Sequence, residues 1–224
     1  MTNQYKILVR VLPFAVYILF LALSGYLMPL FQQFNIDEKW LYIIRVATVA
    51  ALLLYFWREF SELKVKPKIM DMFVALLAGI LVLILWILPF PAWATLGGNH
   101  VSYNPVKGET EQAALFWLST RILGAALIVP VMEELFWRSF VMRWVDNKDF
   151  LNVRPENISR YAFLASAVLF ALEHNLWLAG LFAGLVYGAL YIKYKNLWVP
   201  IFAHAVTNGL LGIWVVQTGN WQYW

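Results

Sequence analysis

The sequence predicts an all-α protein: a polytopic transmembrane helical bundle of about seven spans, with eight as the alternative count. Three observations carry this. Of 224 residues, 62% are hydrophobic and only 13% charged, a balance rare in soluble domains. Several apolar runs reach the roughly 20 residues that a spanning helix needs. The Lys and Arg residues gather in the links between those runs, as they do in membrane proteins. The net charge of +4 therefore reads as loop basicity, and no nucleic-acid partner is expected. There is no cysteine, which excludes disulfides, thiolate metal sites and a cysteine nucleophile.

Lys6 and Arg10 precede the first apolar run, residues 11–31. It is too long for a signal-peptide core and lacks a small-residue cleavage pattern, so it is expected to be retained. The second run, 41–57, has Arg45 near its start, placed to snorkel. A charged segment, 58–68, carries Arg58, Lys64, Lys66 and Lys68. The third run, 69–90, is the most uniformly apolar and is expected to be lipid-facing scaffold. Residues 91–112 hold turn chemistry at Gly97-Gly98-Asn99 and Asn104-Pro105 and read as a loop, with His100 inside it.

The fourth run starts at Ala113 and carries Arg121. Its Pro130 has no amide donor; it should free the carbonyl of Ala126 and kink the helix. The fifth run, 161–173, can be capped from Asn157-Ile158-Ser159. The sixth, 176–194, contains Gly180, Gly184 and Gly188, a small-residue stripe that lets a neighbouring helix approach. The seventh, 197–216, contains Pro200, His204 and Asn208. Basic residues favour alternate links: Lys6 and Arg10, 58–68, 143–160, then Lys193 and Lys195, against Lys39 and Lys107 on the other side. The positive-inside rule then places the N-terminus in the cytoplasm and, with seven spans, the C-terminus outside.

Ionisable groups in apolar runs are expensive and mark function. The fourth run ends in Glu133-Glu134-Leu135-Phe136-Trp137-Arg138. Glu134 and Arg138 are one helical turn apart with the acid first, the better orientation for an ion pair. Glu133 points about 100° away. The spacing predicts that Arg138 neutralises Glu134 and leaves Glu133 for chemistry; the plain alternative is a membrane boundary at which all three groups snorkel. His174 ends the fifth run, and His204 and Asn208 share one face of the seventh helix. Counting helical rise from an inner boundary at Arg143, Phe163 and Asn196 puts Glu133, His174, His204 and Asn208 in one layer, roughly 12–18 Å deep.

Glu133-Glu134-x-x-x-Arg138, Phe170-x-x-x-His174 and His204-x-x-x-Asn208 together resemble the three motifs of the CAAX-protease and bacteriocin-processing family of intramembrane endopeptidases. The resemblance covers roughly residues 120–212. Ser139 stands where the family commonly has glycine, and Glu173 adds a carboxylate beside His174. The family implies one integral membrane domain, with 1–112 as variable scaffold helices and loop and 113–216 as the catalytic helical core. It also implies hydrolysis of a peptide bond in a membrane-associated, sometimes lipidated, peptide or protein, with membrane lipid as the other partner.

In that scheme Glu133 is the base for water, His174 shares the water, and His204 and Asn208 donate to the oxyanion. Glu134 and Arg138 support them. No cofactor is favoured; if zinc takes part, its ligands would be Glu133, His174 and His204. Two other functions fit buried Glu, Arg and His. One is a small proton-coupled transporter, which should show repeat symmetry between its halves. The other is a non-catalytic bacteriocin-immunity or binding protein on the same scaffold, which the loss of a motif residue would favour.

Overall fold

The computed structural model describes residues 2–96 and 104–223. Among them are seven long helices and no strand: α1 (Asn3–Gln33), α2 (Lys39–Tyr55), α3 (Ile69–Trp86), α4 (Glu111–Trp144), α5 (Arg160–Leu172), α6 (Trp177–Tyr194) and α7 (Trp198–Thr218). Their number and order follow the hydropathy pattern. Five of them, α1, α3, α4, α6 and α7, are long and apolar enough to cross a membrane. α2 and α5, with 17 and 13 residues, rise only about 26 and 20 Å. Gly97-Gly98-Asn99 and His100 lie outside the described residues.

The sequence reading put Arg10 ahead of the first helix. Thr2 instead caps α1, its hydroxyl accepting from the Tyr5 amide, so Arg10 lies inside the helix and is 1% exposed. Its guanidinium donates to Glu62 from Nε at 2.8 Å and from a terminal nitrogen at 2.7 Å. Ser139 also donates to Glu62, and an Arg143 nitrogen lies 3.8 Å from the same carboxylate. Arg143 spends its other donors on the carbonyls of Leu151 and Val153, and the Phe150 ring sits beside both guanidinia. The segment 58–68 is thus not uniformly solvated: Glu62, its side chain 8% exposed, joins α1 to α4. Ser139 is part of that junction.

Burial alone would oppose ionisation of Glu62, but hydrogen bonds from Arg10 and Ser139 outweigh it and hold the carboxyl below its ordinary value. A depressed carboxylate stabilises the fold above the unfolded-state pKa, about 4.3, and loses that contribution as pH falls through its folded value. Thermal melts in detergent should therefore show a stability loss below about pH 4.3. In Glu62→Gln that pH dependence should flatten, whatever the variant's own stability.

The four basic links meet at one end of the bundle. Asn3 donates to the Lys148 carbonyl at 2.9 Å, Lys195 pairs with Glu156 at 3.3 Å, and Trp198 Nε1 donates to the Leu63 carbonyl at 2.9 Å. At the other end Lys39 pairs with Asp37 and Glu109, and the Leu96 amide donates to the Asn175 carbonyl.

The glycine stripe of α6 packs on α5. A Cβ at Gly184 would meet the Ala167 carbonyl oxygen at 3.0 Å, and one at Gly188 would meet Phe163 at 2.8 Å. Overpacking of this kind costs roughly 1–3 kcal/mol. Gly184→Leu should therefore lower the melting temperature in detergent, while Gly25→Leu, with nothing within 4 Å of the new Cβ, should not.

The third helix is not simply lipid-facing. Ala75, Gly79 and Val82 are buried, and Phe73, Leu77, Leu81 and Ile84 are exposed. A Cβ at Gly79 would collide with the Ala203 carbonyl oxygen, so α3 and α7 touch backbone to backbone. α4 runs unbroken through Pro130 by widening: residues Gly124–Ile128 and Leu135–Val141 are π-helical. In a π turn the Ala125 carbonyl looks to residue 130, which as proline has no N–H. Asn208 Nδ2 donates to that carbonyl instead, at 2.9 Å. The carbonyl taken up is therefore Ala125's, one residue before the one expected.

Candidate active site

Glu134 is fully buried and held from two sides. Its Oε2 is 3.1 Å from Arg138 Nε, and its Oε1 is 3.0 Å from His204 Nδ1. Arg138 stacks over Phe170, 4.3 Å from the ring centre, and reaches the Gly184 carbonyl at 3.4 Å. The close α5–α6 contact is what brings that carbonyl and ring within its reach. Spacing predicted the Glu134–Arg138 pair; the tie to His204 comes from α7 and had no local signal.

Glu133 faces the other way, into a cavity of about 200 Å³ that His174, His204 and Asn208 also line. Its Oε2 is buried with no hydrogen-bond partner, and His204 Nε2 lies 3.9 Å from it. The structure thus brings all four sequence-selected residues to one space.

The tautomers follow from the partners. His174 Nδ1 is 2.8 Å from the Phe170 carbonyl, which can only accept, so Nδ1 carries the proton and Nε2 keeps a lone pair. The Trp86 and Phe170 rings bracket this imidazole at 5.3 and 4.7 Å. His204 stacks on Tyr187 at 4.9 Å. The Tyr187 hydroxyl donates to Thr207, which in turn lies 2.9 Å from the Gly79 carbonyl. Asn208, with one amide hydrogen given to Ala125, has a second to offer.

Glu173 was visible in the sequence only as an extra carboxylate. It accepts from Trp137 Nε1 at 2.9 Å. With Glu133 and His174 it presents ligand atoms all within 4.8 Å of one another, the cluster of that kind among the described residues. The zinc set expected from sequence has His204 where this cluster has Glu173; His204 Nδ1 faces Glu134, while its Nε2 lies 3.9 Å from Glu133 Oε2.

Other cavity walls come from the first half of the chain: Tyr17, Tyr42, Arg45 and Trp86. Arg45 does not snorkel. Its guanidinium lies 4.5 Å over the Tyr17 ring and 5.1 Å over the Tyr42 ring, beside the cavity that holds Glu133. An arginine inside an apolar run was the signal, and its nearness to the run's start hid it.

Comparison with known proteins adds one match. The sequence profile of the family described as "Type II CAAX prenyl endopeptidase Rce1-like" matches residues 115–210, a span containing Glu133, Glu134, Arg138, His174, His204 and Asn208. No curated protein and no solved structure matches the chain. The buried glutamate pair and the two histidines all lie in that span, so residues 115–210 are similar to the Rce1-like family of CAAX-type endopeptidases.

Proposed function

We propose that the protein is an intramembrane endopeptidase that hydrolyses a peptide bond of a membrane-associated peptide or protein, with Glu133 as the base for water. Glu133 itself carries the reading: a buried carboxylate facing a cavity, while its neighbour is engaged by Arg138 and His204. Water held between Glu133 and His174 Nε2 gives its proton to Glu133 as its oxygen adds to the scissile carbonyl. The oxyanion is met by His204 Nε2 and the second amide hydrogen of Asn208. With Nδ1 donating to the Glu134 carboxylate, donation from Nε2 requires the imidazolium. Collapse breaks the C–N bond, and the proton on Glu133 passes to the leaving amine.

A divalent ion held by Glu133, Glu173 and His174 would supply a Lewis acid and an activated water. We favour the metal-free scheme, in which Glu173 accepts from Trp137 and His174 Nε2 takes part in handling water. Partners in this reading are membrane lipid and a membrane-associated polypeptide, lipidated or not. The test is incubation of detergent-purified protein with a membrane-peptide library, reading cut sites by mass spectrometry. Cuts made by wild type and not by Glu133→Gln are expected; identical peptide ends from both would overturn the proposal.

The basic end of the bundle is placed in the cytoplasm by the positive-inside rule. Cysteines introduced at Lys148 and Lys107, both exposed, should label from opposite faces with an impermeant reagent. Labelling from one face would overturn this topology.

A further inference from the structure

His204 is held on three sides, and two of the holds belong to residues of the sequence motifs. Its Nδ1 meets Glu134 at 3.0 Å, and the Phe170 ring stands across it at 6.2 Å. The third hold is Tyr187, whose ring centre lies 4.9 Å from that of the imidazole, with the planes 20° from parallel. A single hydrogen bond leaves an imidazole free to swing about it, and a stacked face removes that freedom. Tyr187 is 1% exposed, so its hydroxyl needs a partner inside the bundle. It donates to Thr207 Oγ1 at 2.8 Å. Thr207 stands three residues beyond His204 on α7, so the two share a face, about 4.5 Å apart along the axis. The Tyr187 ring therefore lies along α7, its face against His204 and its hydroxyl at Thr207. Thr207 donates onward to the Gly79 carbonyl of α3 at 2.9 Å, and the Ala203 carbonyl one turn back lies 3.1 Å from the same hydroxyl. The α3 carbonyl is within reach because Gly79 has no side chain to hold the two helices apart.

The open side of the imidazole is Nε2, which lies 3.9 Å from Glu133 Oε2 beside the cavity that both residues line. We propose that Tyr187 is a positioning residue: anchored through Thr207 to the Gly79 carbonyl, it holds His204 so that Nε2 meets the oxyanion of the peptide being cut. This rests on the endopeptidase reading, in which His204 is an oxyanion donor. Such a donor is effective when it is already in place as charge develops, and a misplacement of about 1 Å can cost on the order of a hundredfold in rate. The anchor comes from α3, which lies wholly outside residues 115–210. A helix beyond the matched segment thus fixes a group inside it. Tyr187 and Thr207 also border the cavity, so direct contact with substrate is the rival reading.

The first arm of the test needs no turnover. Isotope-labelled histidine is incorporated into Glu133→Gln protein in detergent, and the magnetic resonance signal of His204, one of three histidines, is assigned through His204→Gln. A ring stacked on the imidazole should shift its carbon-bound protons upfield. Tyr187→Leu should abolish that shift, and Tyr187→Phe, which keeps the ring without its anchor, should retain only part of it. The second arm is steady-state cleavage of a peptide that the wild type cuts. Tyr187→Leu should lose up to about a hundredfold in kcat, with KM little changed. Tyr187→Phe and Thr207→Val should each lose roughly tenfold, and the double variant no more than either, because both break one chain of contacts. Thr207→Ser, which keeps the hydroxyl, should recover most of the rate lost in Thr207→Val. A rise in KM with kcat intact would overturn the proposal, since Tyr187 would then be a wall of the substrate site. Losses that multiply in the double variant would overturn it too, as would a His204 signal that Tyr187→Leu leaves in place. Should Tyr187→Leu fail to fold, Tyr187→Phe and Thr207→Val decide by the same criteria. Absence of any Glu133-dependent cleavage would instead count against the endopeptidase reading, while the His204 signal still judges the stack.

Discussion

Glu133→Gln should fold like the wild type and fail to turn over, whereas Glu134→Gln should be markedly less stable. The two side chains are adjacent in sequence and opposite in circumstance. Glu133 meets a cavity, so its amide replacement loses the base and leaves no charge stranded. Glu134 joins Arg138 to His204 inside the bundle, at 3.1 and 3.0 Å. Without that carboxylate the Arg138 guanidinium, 1% exposed, retains only the ring faces and the Gly184 carbonyl. Removing one partner of a buried pair costs on the order of 3–5 kcal/mol, enough to lower the detergent melting temperature clearly. Rate loss in Glu134→Gln should accompany the instability, because His204 loses the group that orients it. Equal melting temperatures for the two variants would refute this division of roles.

Asn208→Ala and chelation together decide the chemistry of the water. In the metal-free scheme a chelator leaves turnover intact, and active protein carries far less than one zinc per chain. Asn208→Ala should then lose about 10²–10³ in kcat, the usual loss for an oxyanion donor, with KM little changed. The structure adds a second consequence, since the substitution strands the Ala125 carbonyl that Pro130 cannot serve. Ala125 is half-buried; leaving its acceptor unmade should cost at most about 1–3 kcal/mol, so the melting temperature should fall as well. Stoichiometric zinc in active protein, with inhibition by chelator that added zinc reverses, would overturn the scheme. His174→Ala would in that event lose metal and activity together.

What the sequence disclosed, and what it hid, divides along physical lines. Helix number and order were legible because each apolar run is a local signal, and the Glu134–Arg138 pair because it lies within one turn. The gathering of Glu133, His174, His204 and Asn208 was legible through motif spacing and depth. Three things were not. Arg10 and Glu62 meet across 52 positions, and no window over either residue shows the other. Arg45 looked like a boundary arginine because depth says nothing about which helix face meets a cavity. Pro130 predicted a kink with the Ala126 carbonyl freed; the helix instead continues through a π turn whose spare carbonyl, that of Ala125, is served by a side chain 83 residues away.

The junction of Arg10, Glu62, Ser139 and Arg143 bears on the order in which the protein is made. Arg10 emerges from the ribosome well before Glu62, and both precede Ser139 by a long stretch of synthesis. Because a buried guanidinium without its acid is costly, α1 is expected to reach its final depth only after Glu62 has been translated, and α4 to join the pair later still. The matched segment meets, through Arg143 and Ser139, an acid supplied from outside it, so the two parts are expected to assemble together. Expressed as two fragments divided in the loop before Glu111, the halves should become protease-resistant only when produced together, and Glu62→Ala in the first fragment should abolish that mutual protection.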